Sequence, residues 1–305
     1  MIYSARQLLH PNVRRKLGAL RDRIISRWFA ALAVGRLRQP TTACPHALPG
    51  ELIASLTSYP ARFRTLRRTL ACLLDQTVKA DRTILWIAQE HLNQLPTEVR
   101  RLETRGLEIR ACDDLRSYKK LIPALEAFPN AFIATADDDA YYPRNWLEEL
   151  VNGIDTPRVI TCHRAHRLKQ TGNCNVAPYL EWDFDVQDEA SRRPSADLLP
   201  TGVGGILYPP HSLDPRIVNR ALFERLAPFG DDLWFYWCAR MAGTLHKKVG
   251  GRMSLVVWSG SQQTALWSGN EAGGNDRMIA ALEREFGAVP VEQSNRAVAN
   301  RSIVE

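Results

Sequence analysis

The sequence predicts an α/β protein built on a doubly wound, mostly parallel sheet with helices on both faces, preceded by an amphipathic helix. Three observations predict it. From Glu51 onward, short apolar runs alternate with helix-length amphipathic stretches, as in successive strand–helix units of a parallel sheet. The 305 residues, 45% hydrophobic and 24% charged, are enough to bury a sizeable core without disulfide staples. The basic charge is segregated: residues 1–50 carry nine Lys and Arg against Asp22 alone, a charge of +8, so the total of +7 leaves residues 51–305 at −1. A near-neutral body lacks the basic face of a nucleic-acid-binding domain, and nucleic acid is not expected as a partner.

In residues 1–39, Leu8, Leu9, Val13, Leu17, Leu20, Ile24, Ile25, Phe29 and Leu32 recur at intervals of three and four with arginines between them, which reads as a basic amphipathic helix. Such a helix either lies on an anionic membrane surface or docks its stripe on the body or on a second subunit, as in a homodimer. Pro40, Pro45 and Pro49 mark the linker that completes a leader of residues 1–50. A main domain of residues 51–285, in halves 51–150 and 151–285, and a polar tail of residues 286–305 are expected to follow. No apolar run reaches the roughly 18–20 residues of a spanning helix, and Trp28–Gly35 follows too long a basic stretch to be a secretory signal. A cytoplasmic place is expected, at most peripheral on the inner face of the plasma membrane. The six cysteines show no CxxC spacing and are expected as reduced core thiols.

Leu52–Leu56 reads as the first strand, ended by Thr57-Ser58-Tyr59-Pro60, and Arg62–Asp75 as a helix with Leu66, Leu70, Leu73 and Leu74 on one side. Strands at Thr83–Ala88, Leu107–Ala111 and Ala131–Ala136 alternate with helices near Thr97–Thr104 and over Ser117–Phe128. A helix follows from Asn145, and Arg158–His166 reads as a strand that sends His163 and His166 to opposite faces, which excludes a shared metal. Doubly wound sheets bind ligands beyond the carboxyl ends of their strands, so the chemistry is expected there.

Asp137-Asp138-Asp139 directly follows the run Phe132–Ala136. Three adjacent carboxylates repel one another unless a cation or a cluster of donors neutralises them. Oxygen ligands select a hard ion, Mg²⁺ or Mn²⁺, held by one or two carboxylates plus substrate phosphates. At Ser117, Lys119 and Lys120, amide donors and ammonium groups opening a helix can meet an anion, with one lysine facing it and the other facing water.

Four stretches then stand in order between Glu51 and Leu282: "SLTSYPARFRTLRRTLACLLDQT", "RSYKKLIPALEAFPNAFIATADDDAYYPRNWLEEL", "TGVGGILYPP" and "FGDDLWFYW". Together they resemble the GT-A-fold, nucleotide-sugar-dependent glycosyltransferases, in particular the family-two-like bacterial enzymes of surface polysaccharide synthesis. The resemblance implies a GT-A-like sheet, a nucleotide-diphosphate sugar as donor, a glycan or lipid-linked sugar as acceptor, and transfer with inversion. It places the nucleotide against Thr57, Ser58, Tyr59 and Arg62, where hydroxyls and a guanidinium suit ribose and phosphate, and puts Asp114, beside Asp113, near the base. It puts a metal between the donor's phosphates and either Asp137 with Asp139 or Asp138 with Asp139, so that Asp139 is common to both choices, and it counts Asp137 and Asp138 among the donor-binding residues.

It also makes Asp232 the general base, with Asp231 holding an acceptor hydroxyl, one of the two also capping a helix from Leu233. The turn Thr201–Gly205 lacks dinucleotide spacing and a preceding strand, so its backbone, with Gly204 and Gly205 as site residues, is expected to line the sugar pocket. Trp182, Trp234, Trp237, Trp258 and Trp267 are expected mostly in the core, with Trp234 or Trp182 the first choice to stack on an acceptor sugar. The segment "SQQTALWSGNEAGGND" reads as a closing loop. With no histidine after His246, Asn270, Asn275 or water would complete the metal's ligands. Two rivals share parts of this pattern: a nucleotidyltransferase, which usually carries a glycine-rich phosphate loop after the first strand where "SLTSYPARF" has none, and a silent sugar-binding module, which does not need both acidic clusters.

Overall fold

The computed structural model describes residues 11–37, 43–171, 175–253, 255–259 and 273–287. In chain order these form α1 (Pro11–Arg36), β1 (Leu52–Thr57), α2 (Phe63–Leu74), β2 (Arg82–Ala88), α3 (Thr97–Arg100), β3 (Leu107–Cys112), α4 (Ile122–Ala127), β4 (Phe132–Ala136) and α5 (Trp146–Asn152). There follow β5 (Val159–Cys162), β6 (Ala165–Arg167), β7 (Leu198–Pro200), β8 (Ile206–Tyr208), α6 (Arg220–Leu226), α7 (Asp231–Met241), β9 (Leu245–Lys248) and α8 (Asn275–Phe286).

Seven strands form one sheet in the order β3-β2-β1-β4-β8-β5-β9. All its pairings are parallel except those of β8, which runs against both β4 and β5. Strand alternation feeds two layers. Ile53 of β1 joins a core with Leu233–Ala239 of α7 and Met278 and Leu282 of α8, while its neighbours Leu52, Ala54 and Leu56 join a second core with Leu66 and Leu70 of α2, Trp146 of α5 and Ala30 and Ala33 of α1. This is the doubly wound, mostly parallel sheet with helices on both faces that the sequence predicts.

The order reverses at β1, whose neighbours are β2 on one side and β4 on the other. Leu56 is in register with Ala136, so Thr57–Arg62 and Asp137–Asp139 leave the sheet side by side at the switch point.

The structure corrects several local readings. The Ser117–Phe128 helix is broken: Arg116–Lys120 is a 3₁₀ turn and α4 starts only at Ile122, because Pro123, with no N–H to give, suits a first helical turn and not an interior. The Arg158–His166 strand is two strands. The chain leaves the main sheet at His163, whose N–H donates to the Gly205 carbonyl, and β6 pairs antiparallel with β7. The face argument for His163 and His166 therefore lapses. Cys72, Cys162 and Cys238 are buried thiols, those of Cys72 and Cys162 pushed up to about 12 chiefly by burial, but Cys44 is exposed and Cys112 half-buried. Cys174 lies outside the described residues.

Candidate active site

A cavity of about 760 Å³ opens beyond the carboxyl ends of β1 and β4. It is lined by Thr57, Ser58, Tyr59, Arg62, Asp114, Ser117, Lys119, Lys120, Asp137, Asp138, Asp139, Asp231 and Asp232, residues separated by up to 175 positions in the chain. Local structure explains how they meet. The β1 and β4 turns are adjacent strand ends, the 3₁₀ turn of residues 116–120 lies above β1, with Ser55 Oγ donating to the Lys120 carbonyl at 2.6 Å, and α7 points its first turn at the same space.

Each acid of the strand-end turn is neutralised by a protein donor. Ser58 Oγ donates to Asp138 Oδ2 at 2.5 Å, and Arg62 Nη1 lies 3.3 Å from Asp138 Oδ1 and closer still to Asp139 Oδ2. Burial would lower the Arg62 pKa, but Asp139 and Asp138 outweigh it and hold the guanidinium above its ordinary value. Burial pushes Asp138 up to about 7 against the opposing pull of Ser58 and Arg62.

Lys120 Nζ binds Asp137 Oδ1 at 2.9 Å, lies 2.9 Å from Asp231 Oδ2 and stands 4.0 Å from Asp232 Oδ1. Burial alone would lower the Lys120 pKa, but the three carboxylates raise it well above that of a free lysine. Asp232 takes the Gly202 N–H on both oxygens at 3.1 Å and is pushed up to about 7, chiefly by burial and then by the adjacent Asp231.

Several expectations change here. Lys119 and Lys120 are both buried, so neither faces water, and Lys119 pairs with Asp114. That pair and the Arg116 N–H outweigh burial and hold Asp114 below the usual carboxylate range. Neither aspartate caps α7. The helix starts at Asp231, Gly230 occupies the cap position without a side-chain bond, and both carboxylates are left to the cavity. Gly204 and Gly205 are not among the residues lining the cavity. A Cβ at Gly204 would stand 2.7 Å from Arg164 Cβ, and one at Gly205, where φ is +91°, would stand 2.3 Å from the Trp146 indole nitrogen; both glycines serve packing. The short strand β7 also precedes their turn.

Trp182 and Trp234 cannot present a ring to a sugar, since both are buried with their indole N–H groups donated to Ala177 O at 2.8 Å and Ile217 O at 2.9 Å. Trp237 and Trp258 are core residues. Trp267, Asn270 and most of the "SQQTALWSGNEAGGND" segment lie outside the described residues. Asn275 is described, buried, and lines the cavity.

Thr201 and Val203 of the glycine-rich turn do line the cavity, but sequence reasoning missed the rest of that wall, which Arg164, His166, Tyr179 and Leu255 build. Arg164 donates to Thr201 Oγ1 at 2.8 Å, and His166 accepts the Asp185 N–H at 3.0 Å and is held neutral by burial, its pKa pushed down to about 3. They reach the cavity because the chain leaves the sheet at His163, and no motif marks that exit. Ser117 Oγ is buried and makes no hydrogen bond among the described residues, an acceptor and donor ready for a ligand.

The donor set suits a shared cation and not a protein cage. Asp138 accepts from both Ser58 and Arg62, whereas Asp137 faces Lys120 and Asp139 faces Arg62. No cluster of three or more metal-ligating side chains exists among the described residues. Two carboxylates plus phosphate oxygens fit the way Mg²⁺ is held at nucleotide sites.

No family model matches the sequence, and no curated protein matches it either. Solved structures similar to it include the inositol-1-phosphate CTP transferase from T. maritima, at TM-score 0.41 and 10% identity over 78% of this chain and 98% of that one. S. aureus TarS 1-349 is similar at TM-score 0.40 and 12% identity, over 67% of this chain and 59% of that one. GalNAc-T7 with UDP, GalNAc and Mn2+ is similar at TM-score 0.43 and 14% identity, over 66% of this chain and 42% of that one. Likenesses this slight carry no inference about chemistry, which rests on the cavity itself.

Proposed function

We propose that this protein is a glycosyltransferase that moves a sugar from a nucleotide-diphosphate donor to a hydroxyl of a glycan or lipid-linked acceptor, with inversion and with Mn²⁺ or Mg²⁺ at the donor's phosphates. The observation that carries this reading is the meeting, in one cavity and around one lysine, of a strand-end carboxylate turn and a second acidic pair whose Asp232 is held near neutrality.

The division of labour follows from the pairing. Asp137 and Asp139 would hold the ion, which when bound neutralises charge on the departing diphosphate. Ser58 and Arg62 fix Asp138 and hence the turn. The Ser117 hydroxyl and the mouth of the β1 turn bind the nucleotide. Asp232, oriented by the Gly202 N–H, takes the acceptor hydroxyl's proton as that oxygen bonds to the anomeric carbon, and the bond to the diphosphate breaks with its electrons leaving on the nucleotide. A carboxylate with a pKa near 7 is well matched to that task at neutral pH.

The test is a thermal-shift panel of nucleoside diphosphates and nucleotide sugars with and without Mn²⁺, followed by product analysis. Stabilisation by one nucleoside diphosphate only with the cation, abolished in Asp139→Ala, is expected. Pyrophosphate release from a nucleoside triphosphate, or stabilisation unaffected by chelator, would overturn the assignment.

A further inference from the structure

We infer that the outer face of α1 seats the protein on an anionic lipid bilayer. The inference does not rest on the proposed reaction. Four of the nine large apolar side chains exposed among the described residues, Leu20, Ile24, Ile25 and Trp28, lie on this one helix, so they form a patch and not a scatter. Leu20, Ile24 and Trp28 are 54%, 60% and 61% exposed, and their spacing of four puts them in one row. Arg23 and Arg27 run along one side of that row and Arg21 with Ile25 along the other.

The opposite face is already occupied. Ser26, Ala30 and Ala33 are buried, Phe29 packs on Tyr141 at 4.4 Å between ring centroids, and the Ser26 hydroxyl accepts the Ser259 N–H at 3.1 Å. The helix is thus held on the body with its apolar row turned outward.

Charge identifies the occupant. Arg36 of α1 meets Asp75 just past the end of α2, while Arg27 and Arg64 both press on Arg68, so the exposed row lies toward the end of α2 that begins at the cavity. Desolvation and those two like charges hold the Arg68 pKa below its ordinary value. No carboxylate is ion-paired with Arg23, Arg27, Arg64 or Arg68 among the described residues. An apolar row edged by arginines, beside a second arginine cluster, fits acyl chains with anionic headgroups around them. A second copy of the same face would bring arginine against arginine.

The experiment is co-sedimentation of the full chain with vesicles of phosphatidylcholine alone and of an equal mixture of phosphatidylcholine and phosphatidylglycerol. Binding is expected to the mixed vesicles only, to weaken with salt, and to fall about tenfold or more in Ile24→Ser/Trp28→Ser and in Arg23→Glu/Arg27→Glu. These side chains are exposed, so the variants should melt as the wild type does. If the double serine variant fails to fold, Ile24→Ser alone replaces it. Absence of binding to both vesicles, or binding untouched by the substitutions, overturns the inference. So does a dimer in lipid-free solution that Trp28→Ser dissociates, which would assign the row to a second copy.

Discussion

Lys120 lies 2.9 Å from Asp231, and so links the first turn of α7 to the strand-end turn of β4, where Asp137 is its other partner. One buried ammonium therefore compensates three carboxylates. Removing it leaves the three without their shared cation, and breaking a buried ion cluster from one side costs about 3–5 kcal/mol. Lys120→Met is expected to lose stability of that order in urea unfolding, and adding Asp231→Asn to recover part of it, because the two residues share one interaction.

Gly202 sits against the same cluster. A Cβ there would stand 2.3 Å from Lys120 Nζ, 3.2 Å from Asp232 Oδ1 and 3.3 Å from Asp137 Oδ1. The lysine tip is flexible in principle, but here two carboxylates hold it. Gly202→Ala is expected to cost about 1–3 kcal/mol by overpacking. It should lower turnover more than it lowers the melting temperature, since displacing Lys120 also disturbs the N–H that orients Asp232. Equal loss of both would mean that Gly202 matters to packing alone.

The strand-end residues were legible because their position follows from topology: any residue just past β1 or β4 faces the switch point, whatever its side chain does there. Thr57 through Arg62 and Asp137 through Asp139 could be read in that way. The two lysines could not. On a solvated helix from Ser117, consecutive Lys119 and Lys120 would diverge by about 100° and one would meet water, whereas Pro123 delays α4 and the 3₁₀ turn before it is buried with a carboxylate on each side, Asp114 at Lys119 and Asp137 with Asp231 at Lys120. Arg164 and His166 were hidden by the opposite failure, a strand reading too long by a few residues, which kept them in the sheet. Glycine density drew attention to residues 202–205, but the demand for glycine at Gly204 and Gly205 comes from Arg164 and Trp146, long-range neighbours that no local pattern reveals.

His246 provides a pH test remote from the carboxylate turns. It is fully buried against Tyr236, with ring centroids 5.3 Å apart, and burial pushes its pKa down to about 3. The unfolded chain takes up a proton below about 6.5 that the folded chain refuses, so stability from this residue is lost as pH falls. His246→Phe keeps a ring without that proton site. Its stability relative to wild type should improve by about 2 kcal/mol between pH 7 and pH 5, whatever the offset at pH 7. A difference that stays flat across that range would mean that the imidazole titrates normally in the fold.

Asp232 provides the decisive kinetic test. In the proposed reaction Asp137 and Asp139 would hold the ion at the donor's phosphates, and Asp138 is bound by Ser58 and Arg62, so proton removal would fall to the acids of α7. Asp231 lies 2.9 Å from Lys120, while Asp232 stands 4.0 Å from that lysine, accepts the Gly202 N–H and is pushed up to about 7. A base works ionised. With its folded pKa raised, Asp232 is protonated below about 7, so kcat/KM for transfer should climb with pH and level off above 7. Asp232→Asn should lower the rate by about two to four orders of magnitude and remove that limb, with donor affinity little changed. Loss of the rate in Asp231→Asn with Asp232→Asn active would exchange the two roles. Persistence of the acid limb in Asp232→Asn would assign it to another group, and a product of retained anomeric configuration would end the case for a protein base altogether.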